Sequence, residues 1–430
     1  EQLIKQNGKV NGTVEYLGKV GGKWLAVPAT AGTQIKGPCS RIDLMKKHAR
    51  IDVQAMYPAG AEPQDKDWTL DIFLKAAEAC HKGGNPFGIG LGTTSDNVDT
   101  IGAIFHSFGA VLVNAKGEIV LKNDQVRQAL DYYKKLMAFL PADVAAWDDA
   151  SNNKFLVSGQ GSLIMNPPSA WAVAKRDAPQ VAENCWTHGM PAGPKGRFAP
   201  FLPYFWGIWN FTKNASAAKS LVSYLSSPAV VESMVVASGG YDLPSFEKLT
   251  KFKVWADEGP PKGTLYHYPD PFQHQTYSVA CAPAPHKIAE QMYNQGIQTQ
   301  MAVRYFKGEA IEKTLAWAEG SPGWHALRAE LHDLARVVGN LHDHVVPFGV
   351  GDAVELGQAQ VGGHRLLHQA LLFGDVDGDA DEMQARIVGL AHQLAARAQP
   401  DPVAVGVAHA EGAVGLSTSC GFLALYQIGR

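Results

Sequence analysis

Lys154-Phe-Leu-Val-Ser-Gly-Gln-Gly-Ser-Leu-Ile-Met-Asn-Pro-Pro-Ser-Ala-Trp171 is the stretch from which the fold can be read. A short helical segment runs into a glycine. Residues 162–165 then form an apolar strand. That strand stops at Asn166, because the two prolines that follow cannot donate to a ladder. Polar and aromatic side chains therefore gather just beyond a strand's carboxyl end, the place where open α/β sheets hold ligands. A second stretch is built the same way. Pro203-Tyr-Phe-Trp-Gly-Ile-Trp-Asn-Phe211 reads as an apolar strand. Thr212-Lys-Asn-Ala-Ser-Ala-Ala-Lys-Ser-Leu-Val-Ser-Tyr-Leu-Ser-Ser-Pro228 reads as a polar turn and a helix opened by Asn214 or Ser216 and closed before Pro228.

Outward from these stretches the pattern is mixed α/β. Residues 1–20 read as the end of a helix and a polar turn. Gly21-Gly-Lys-Trp-Leu-Ala-Val-Pro28 is a short strand, and Cys39-Ser-Arg-Ile-Asp-Leu-Met-Lys-Lys-His48 is a strand leading into a helix. Thr69 caps a helix whose Phe73, Ala76, Ala77 and Cys80 share one face, ended by Gly83 and Gly84. Residues 87–91 form a strand, 92–97 the loop beyond it, and a helix through Phe105 and Phe108 follows. Val126, Leu130, Tyr133 and Met137 fall at i, i+4, i+7 and i+11 and predict a helix over 124–137. Further helices are expected near 285–295 and 308–320.

The order of these phrases resembles the family 1 extracellular solute-binding proteins, the sugar receptors of bacterial ABC importers. The resemblance rests on phenylalanine, glycine, apolar Ile-Met, Asn166 and Trp171, followed by Gly207-Ile208, Lys213-Asn214, a helix and Ser227-Pro228. Gly22-Lys-x-x-x-Val-Pro28 matches the family's first crossing between lobes, and Gly239-Gly-Tyr-Asp-Leu-Pro244 matches a return crossing. The implied fold is α/β, a periplasmic-binding-protein-like (type II) two-lobe fold, one lobe nearly complete and the other truncated, plus an unassigned C-terminal tail. Residues 1–27 and 207–243 would be the remnant of the amino-terminal lobe, 28–206 and 244–320 the carboxy-terminal lobe, and 321–430 an unrelated tail. With that remnant incomplete, the apolar face of the 217–225 helix (Ala218, Leu221, Val222, Leu225) is expected to stand uncovered. Residues 1–20 and 212–240 are expected to be the least well packed of the first 320.

Composition narrows the function. The formal net charge is −3, with no basic stripe for nucleic acid. No run of 18 apolar residues exists. Residues 1–320 hold all 26 lysines, whereas 321–430 hold none but carry eight of the fifteen histidines. That switch suggests two origins for the chain, and the tail's make-up resembles translation of GC-rich DNA in a wrong frame. Five scattered cysteines form neither a C-x-x-C pair nor a disulfide framework, although one bridge among the first four remains open in an oxidising compartment. Gly88-x-Gly-x-Gly92 lacks dinucleotide spacing and reads as a turn. Asp375-Val-Asp-Gly-Asp-Ala-Asp381 departs from a calcium loop at its glycine and final glutamate. His332 and His342-Asp-His344 read as chance in a histidine-rich tail. No H-E-x-x-H, G-x-S-x-G or phosphate-binding loop occurs. No metal or cofactor is expected, and no catalytic residue.

A sugar offers hydroxyls and flat C–H faces, so its receptor needs planar aromatics beside carboxylates and amides. By the resemblance and by position, the candidate ligand-binding residues are Trp171, Trp206, Tyr204, Asp96, Asn97, Asn166, His274, Tyr268 and Tyr241. Each has a plainer alternative: core tryptophans, turn formers, a strand terminator. Three functional readings remain. The first is an ABC-importer substrate-binding protein, not an enzyme, that binds a carbohydrate in an inter-lobe cleft and delivers it to a membrane permease in the periplasm, touching the membrane only through that permease. The second is a glycan-acting enzyme, and the third a truncated, non-functional receptor fragment.

Overall fold

The computed structural model describes residues 1–29, 34–58, 61–240, 242–257, 276–321, 414–419 and 422–427. A four-stranded sheet lies at the centre, in the order Phe87–Gly88, Leu163–Met165, Pro38–Arg41, Cys185–Thr187. The first two strands run parallel, and the other pairings are antiparallel. Both faces are packed. Leu70–Lys82 starts at Thr69, whose hydroxyl accepts from the Ile72 amide, and buries the four side chains its periodicity indicates. Asp124–Met137 is capped by Asn123 and buries Val126, Leu130, Tyr133 and Met137. Ser95–Phe108 is buried almost all round, as a helix enclosed by other elements must be. The strand expected over 87–91 is shorter, Phe87–Gly88, because Gly90 and Gly92 let Asn97 and the Trp147 carbonyl approach where a Cβ would collide.

Two stretches of chain run side by side in opposite directions. Val27–Pro28 pairs with Phe205–Trp206, and Gln34–Ile35 pairs with Phe198–Leu202. The Ala29 amide donates to Tyr204 O at 2.8 Å and the Lys36 amide to Pro200 O at 2.8 Å, each extending its own pairing by one bond. Thr276–Ser278 adds a parallel strand beside Phe198–Leu202. Phe422–Gln427, hairpinned with Val414–Ser419, pairs with Phe205 on the other side.

The helix Ala215–Leu225 corrects one expectation. Its apolar face is not uncovered: Ala218, Leu221, Val222 and Leu225 are all buried. Leu221, Val222 and Leu225 pack on Ala29 and Trp206, with Val27 and Ile208 alongside. Residues 1–20 form two helices instead of one end and a turn, and mostly stay at the surface, with Asn7, Gly8, Val14 and Gly18 buried. The Asn7 amide donates to Ser226 O, and Leu3, Ile4 and Val10 pack against a core of Val231, Val235, Phe246 and Leu249. Phe246 and Leu249 lie beyond the expected lobe boundary at 243, yet pack with Val231 and Val235 before it. The chain after Pro244 folds back on the helix Pro228–Ala237, because burying apolar surface outweighs sequence adjacency.

Candidate functional site

The neighbouring parallel strands Phe87–Gly88 and Leu163–Met165 end side by side, and the chain beyond each turns into one cleft of about 430 Å³. Thr93, Thr94, Ser95 and Asp96 follow the first strand, and Asn166 and Ser169 the second. Asp149 and Asn153 line it from the start of Ser151–Val157, and Tyr293 and Asn294 from the end of His286–Gln295. Gln34, Leu202 and Tyr204 belong to the paired crossing segments. Leu202 is the single aliphatic residue among these, so nearly the whole wall can exchange hydrogen bonds.

Asn166 has the least ordinary geometry. The strand must end before Pro167, and its last turn leaves Asn166 at φ 116°, ψ 56°. A non-glycine residue there carries strain of roughly 1–3 kcal/mol, and such strain concentrates at functional sites. Its backbone amide donates to Gly37 O. The side chain lines the cleft and the residue is 5 % exposed, yet its amide hydrogen-bonds to no described residue.

The floor of the cleft is ionic. Lys36 reaches Asp96 at 2.6 Å and Asp99 at 3.0 Å, with all three side chains buried or nearly so. Burial alone would lower the Lys36 pKa, but the two carboxylates outweigh it and hold the ammonium above the usual lysine range. Burial pushes Asp99 up to about 6 against the pull of Lys36. Asp96 is likewise raised by burial, with Asp149 adding to the rise and Lys36 opposing it. Asp149 sits at the amino end of Ser95–Phe108, accepting from the Asp96 amide at 3.0 Å and the Ser95 hydroxyl at 2.8 Å.

Of the nine predicted residues, Asp96, Asn166 and Tyr204 meet in this cleft. Asp96 was expected in a loop but lies in the first turn of the Ser95 helix. Asn97 does not face the cleft as expected: its amide donates to Thr94 Oγ1 at 3.1 Å and Trp147 O at 3.0 Å, tying the helix start to the 147 turn. Trp171 lies in the core. The Pro-Pro pair begins a helix, Pro167–Asp177, instead of a loop, and puts Trp171 (4 % exposed) against Leu156, Ile164, Ala174 and Cys185. The Lys175 ammonium stands 5.0 Å from its ring. Trp206 is also a core residue, 4 % exposed under Leu221 and Leu225. His274, Tyr268 and Tyr241 lie outside the described residues, as do the acidic and histidine motifs of the tail. Among the described residues no cluster suited to a metal ion occurs. Gln34, Lys36, Asp149 and Tyr293 escaped the sequence reading. Only Asp96 and Asp99, spaced i, i+3 on one helix face, gave a local hint of a charged cluster.

A mixed α/β body with a polar cleft at strand ends, beside a doubled crossing of the chain, defines a small-solute binding architecture. The chain belongs to the family of bacterial extracellular solute-binding proteins, whose model matches residues 4–260. It is 27% identical over 264 residues to a Deinococcus radiodurans protein described as a "Probable ABC transporter-binding protein", and spans 57% of that relative's length. Among solved structures it resembles an ABC-transporter solute-binding protein from Thermotoga lettingae bound to α-D-tagatose, with TM-score 0.56 and 15% identity over 74% of this chain and 76% of that one. A sugar transporter protein of Arthrobacter chlorophenolicus with bound laminaribiose gives TM-score 0.54 and 15% identity, over 76% and 79%. These likenesses bear out the α/β binding-protein fold.

Proposed function

We propose that this chain is the carbohydrate-binding component of an ABC importer, which takes a sugar into the cleft between Asn166, Asp96, Tyr204 and Tyr293 and hands it to a membrane permease from the periplasm. The observation that carries this reading is Asn166, held at φ 116° with a side-chain amide that hydrogen-bonds to no described residue and opens into a cavity walled by hydroxyls, amides, carboxylates and tyrosine rings. Tyrosine faces suit sugar C–H surfaces, and the polar groups suit hydroxyls. The relatives' recorded ligands, tagatose and laminaribiose, support the same class. A glycosidase would need two carboxyl groups facing each other across the bond. Here Asp96 and Asp149 share one wall at the start of the Ser95 helix.

Calorimetric titration with tagatose, maltose and laminaribiose tests the reading, with chromatography of the recovered sugar. Binding with the sugar unchanged is expected. Asn166→Ala should weaken it about 3- to 10-fold, the worth of one or two neutral hydrogen bonds. Unaltered affinity in that variant removes Asn166 from the site, and cleavage of the sugar turns the reading to an enzyme.

A further inference from the structure

The Ser95–Phe108 helix ends in the cleft with its amino terminus, where free amides and the helix dipole ordinarily attract anions. That position is already filled from within the chain. Both Asp149 oxygens are engaged there, one by the Asp96 amide and the other by the Ser95 hydroxyl. Asp96 adds a second carboxylate one residue into the helix, and its cation, Lys36, is shared with Asp99 in the buried floor. Among the described residues the lining therefore contains two aspartates and no lysine, arginine or histidine. The Asn166 amide lines the same cleft without a hydrogen bond to the described residues, and can donate or accept, so it favours neither sign of ligand.

We infer that Asp149 is a specificity determinant, which turns the anion-attracting end of the Ser95 helix into a wall that rejects anions and restricts the cleft to uncharged or amine-bearing sugars. This rests on the carbohydrate reading above. A ligand carboxylate or phosphate meets two carboxylates and no cation among the described lining residues, since Lys36 is held behind them by Asp96 and Asp99, and that juxtaposition disfavours binding in a partly buried site. A neutral hydroxyl can donate to the carboxylate lone pairs left over, and an ammonium group can do so with added attraction.

The test is titration of the whole chain with matched sugars: glucose and glucuronate, galactose and galacturonate, galactobiose and digalacturonate. In every pair that binds, the acid should bind at least about 100-fold more weakly than its neutral partner. Asp149→Asn keeps the shape and an acceptor for the Asp96 amide but removes the charge, and should narrow that ratio at least fivefold. An acid binding within tenfold of its neutral partner overturns the inference and leaves the carbohydrate reading intact. A ratio unmoved in Asp149→Asn also overturns it. If that variant does not fold, the ratio in the parent protein still decides. If no sugar of any charge binds, the carbohydrate reading falls and this inference falls with it.

Discussion

Replacing Lys36 with methionine would remove the ammonium that Asp96 and Asp99 share while keeping most of the side-chain volume. At 2.6 and 3.0 Å, each of its ion pairs is worth about 5–6 kcal/mol gross at an effective dielectric near 20. Most of that is offset by desolvating three charges. The variant loses the attraction but keeps Asp96 and Asp99 buried, and such orphaning costs about 3–5 kcal/mol. The loss must depend on pH. In the parent, Asp99 titrates at about 6 when folded, against an ordinary value of 3.8, so stability falls as pH rises through that window. Lys36, held above its ordinary value, contributes stability that is fully present below about pH 10.5 and lost as pH rises through the folded value. Without Lys36 both carboxyls hold their protons to still higher pH, so less charge is buried at pH 5 than at pH 7.5. Urea unfolding of Lys36→Met should therefore show a deficit of about 3–5 kcal/mol at pH 7.5 that shrinks by half or more at pH 5. A deficit under about 1 kcal/mol at pH 7.5, or one equal at both pH values, would refute the reasoning.

Trp171→Ala should cost about 3–5 kcal/mol through the cavity it opens among Leu156, Ile164 and Ala174, yet change sugar affinity less than about twofold, as titration of the folded variant would reveal. Asn166→Gly frees the strained backbone and should raise unfolding stability by about 1 kcal/mol while weakening sugar binding; a destabilised variant would mean that the side chain holds the turn. His188 is buried, donates from Nδ1 to Gly189 O and accepts from Ser40 at Nε2, and burial pushes its pKa down to about 4. Between pH 6.5 and 4 the unfolded chain binds the proton that the folded one refuses, so this group withdraws about 3 kcal/mol of stability as pH falls. A proton-NMR midpoint for His188 above 6 would contradict that.

Local pattern was legible wherever a helix carries its own period and cap. Thr69 with Phe73 and Cys80, and the period of Val126, Leu130 and Tyr133, place their helices within a residue. The strand end at Asn166 was legible too, because proline chemistry is local. What followed it was not: a Pro-Pro pair both ends a strand and begins a helix, and only the packing of Trp171 on Leu156 and Cys185 decides its side. The cleft's charge was hidden for a different reason. Asp149 acts on Ser95 and Asp96 across more than fifty positions, and Lys36 on Asp96 and Asp99 across about sixty. The cover over Leu221 and Leu225 likewise comes from Ala29 and Trp206, which no periodicity links to that helix.

The paired crossing has a mechanical meaning. The chain leaves at Ala29 and comes back at Tyr204, one hydrogen bond away. Everything between is a closed excursion from that junction. Tension applied through residues 26 and 207 pulls on the same end of an antiparallel pair, Val27–Pro28 against Phe205–Trp206. The load meets the bonds one after another, as a zipper is opened, not all together in shear. Until that short seam parts, the 29–204 excursion bears no force, so stretching the molecule from these points opens the junction before the cleft-bearing sheet feels the pull.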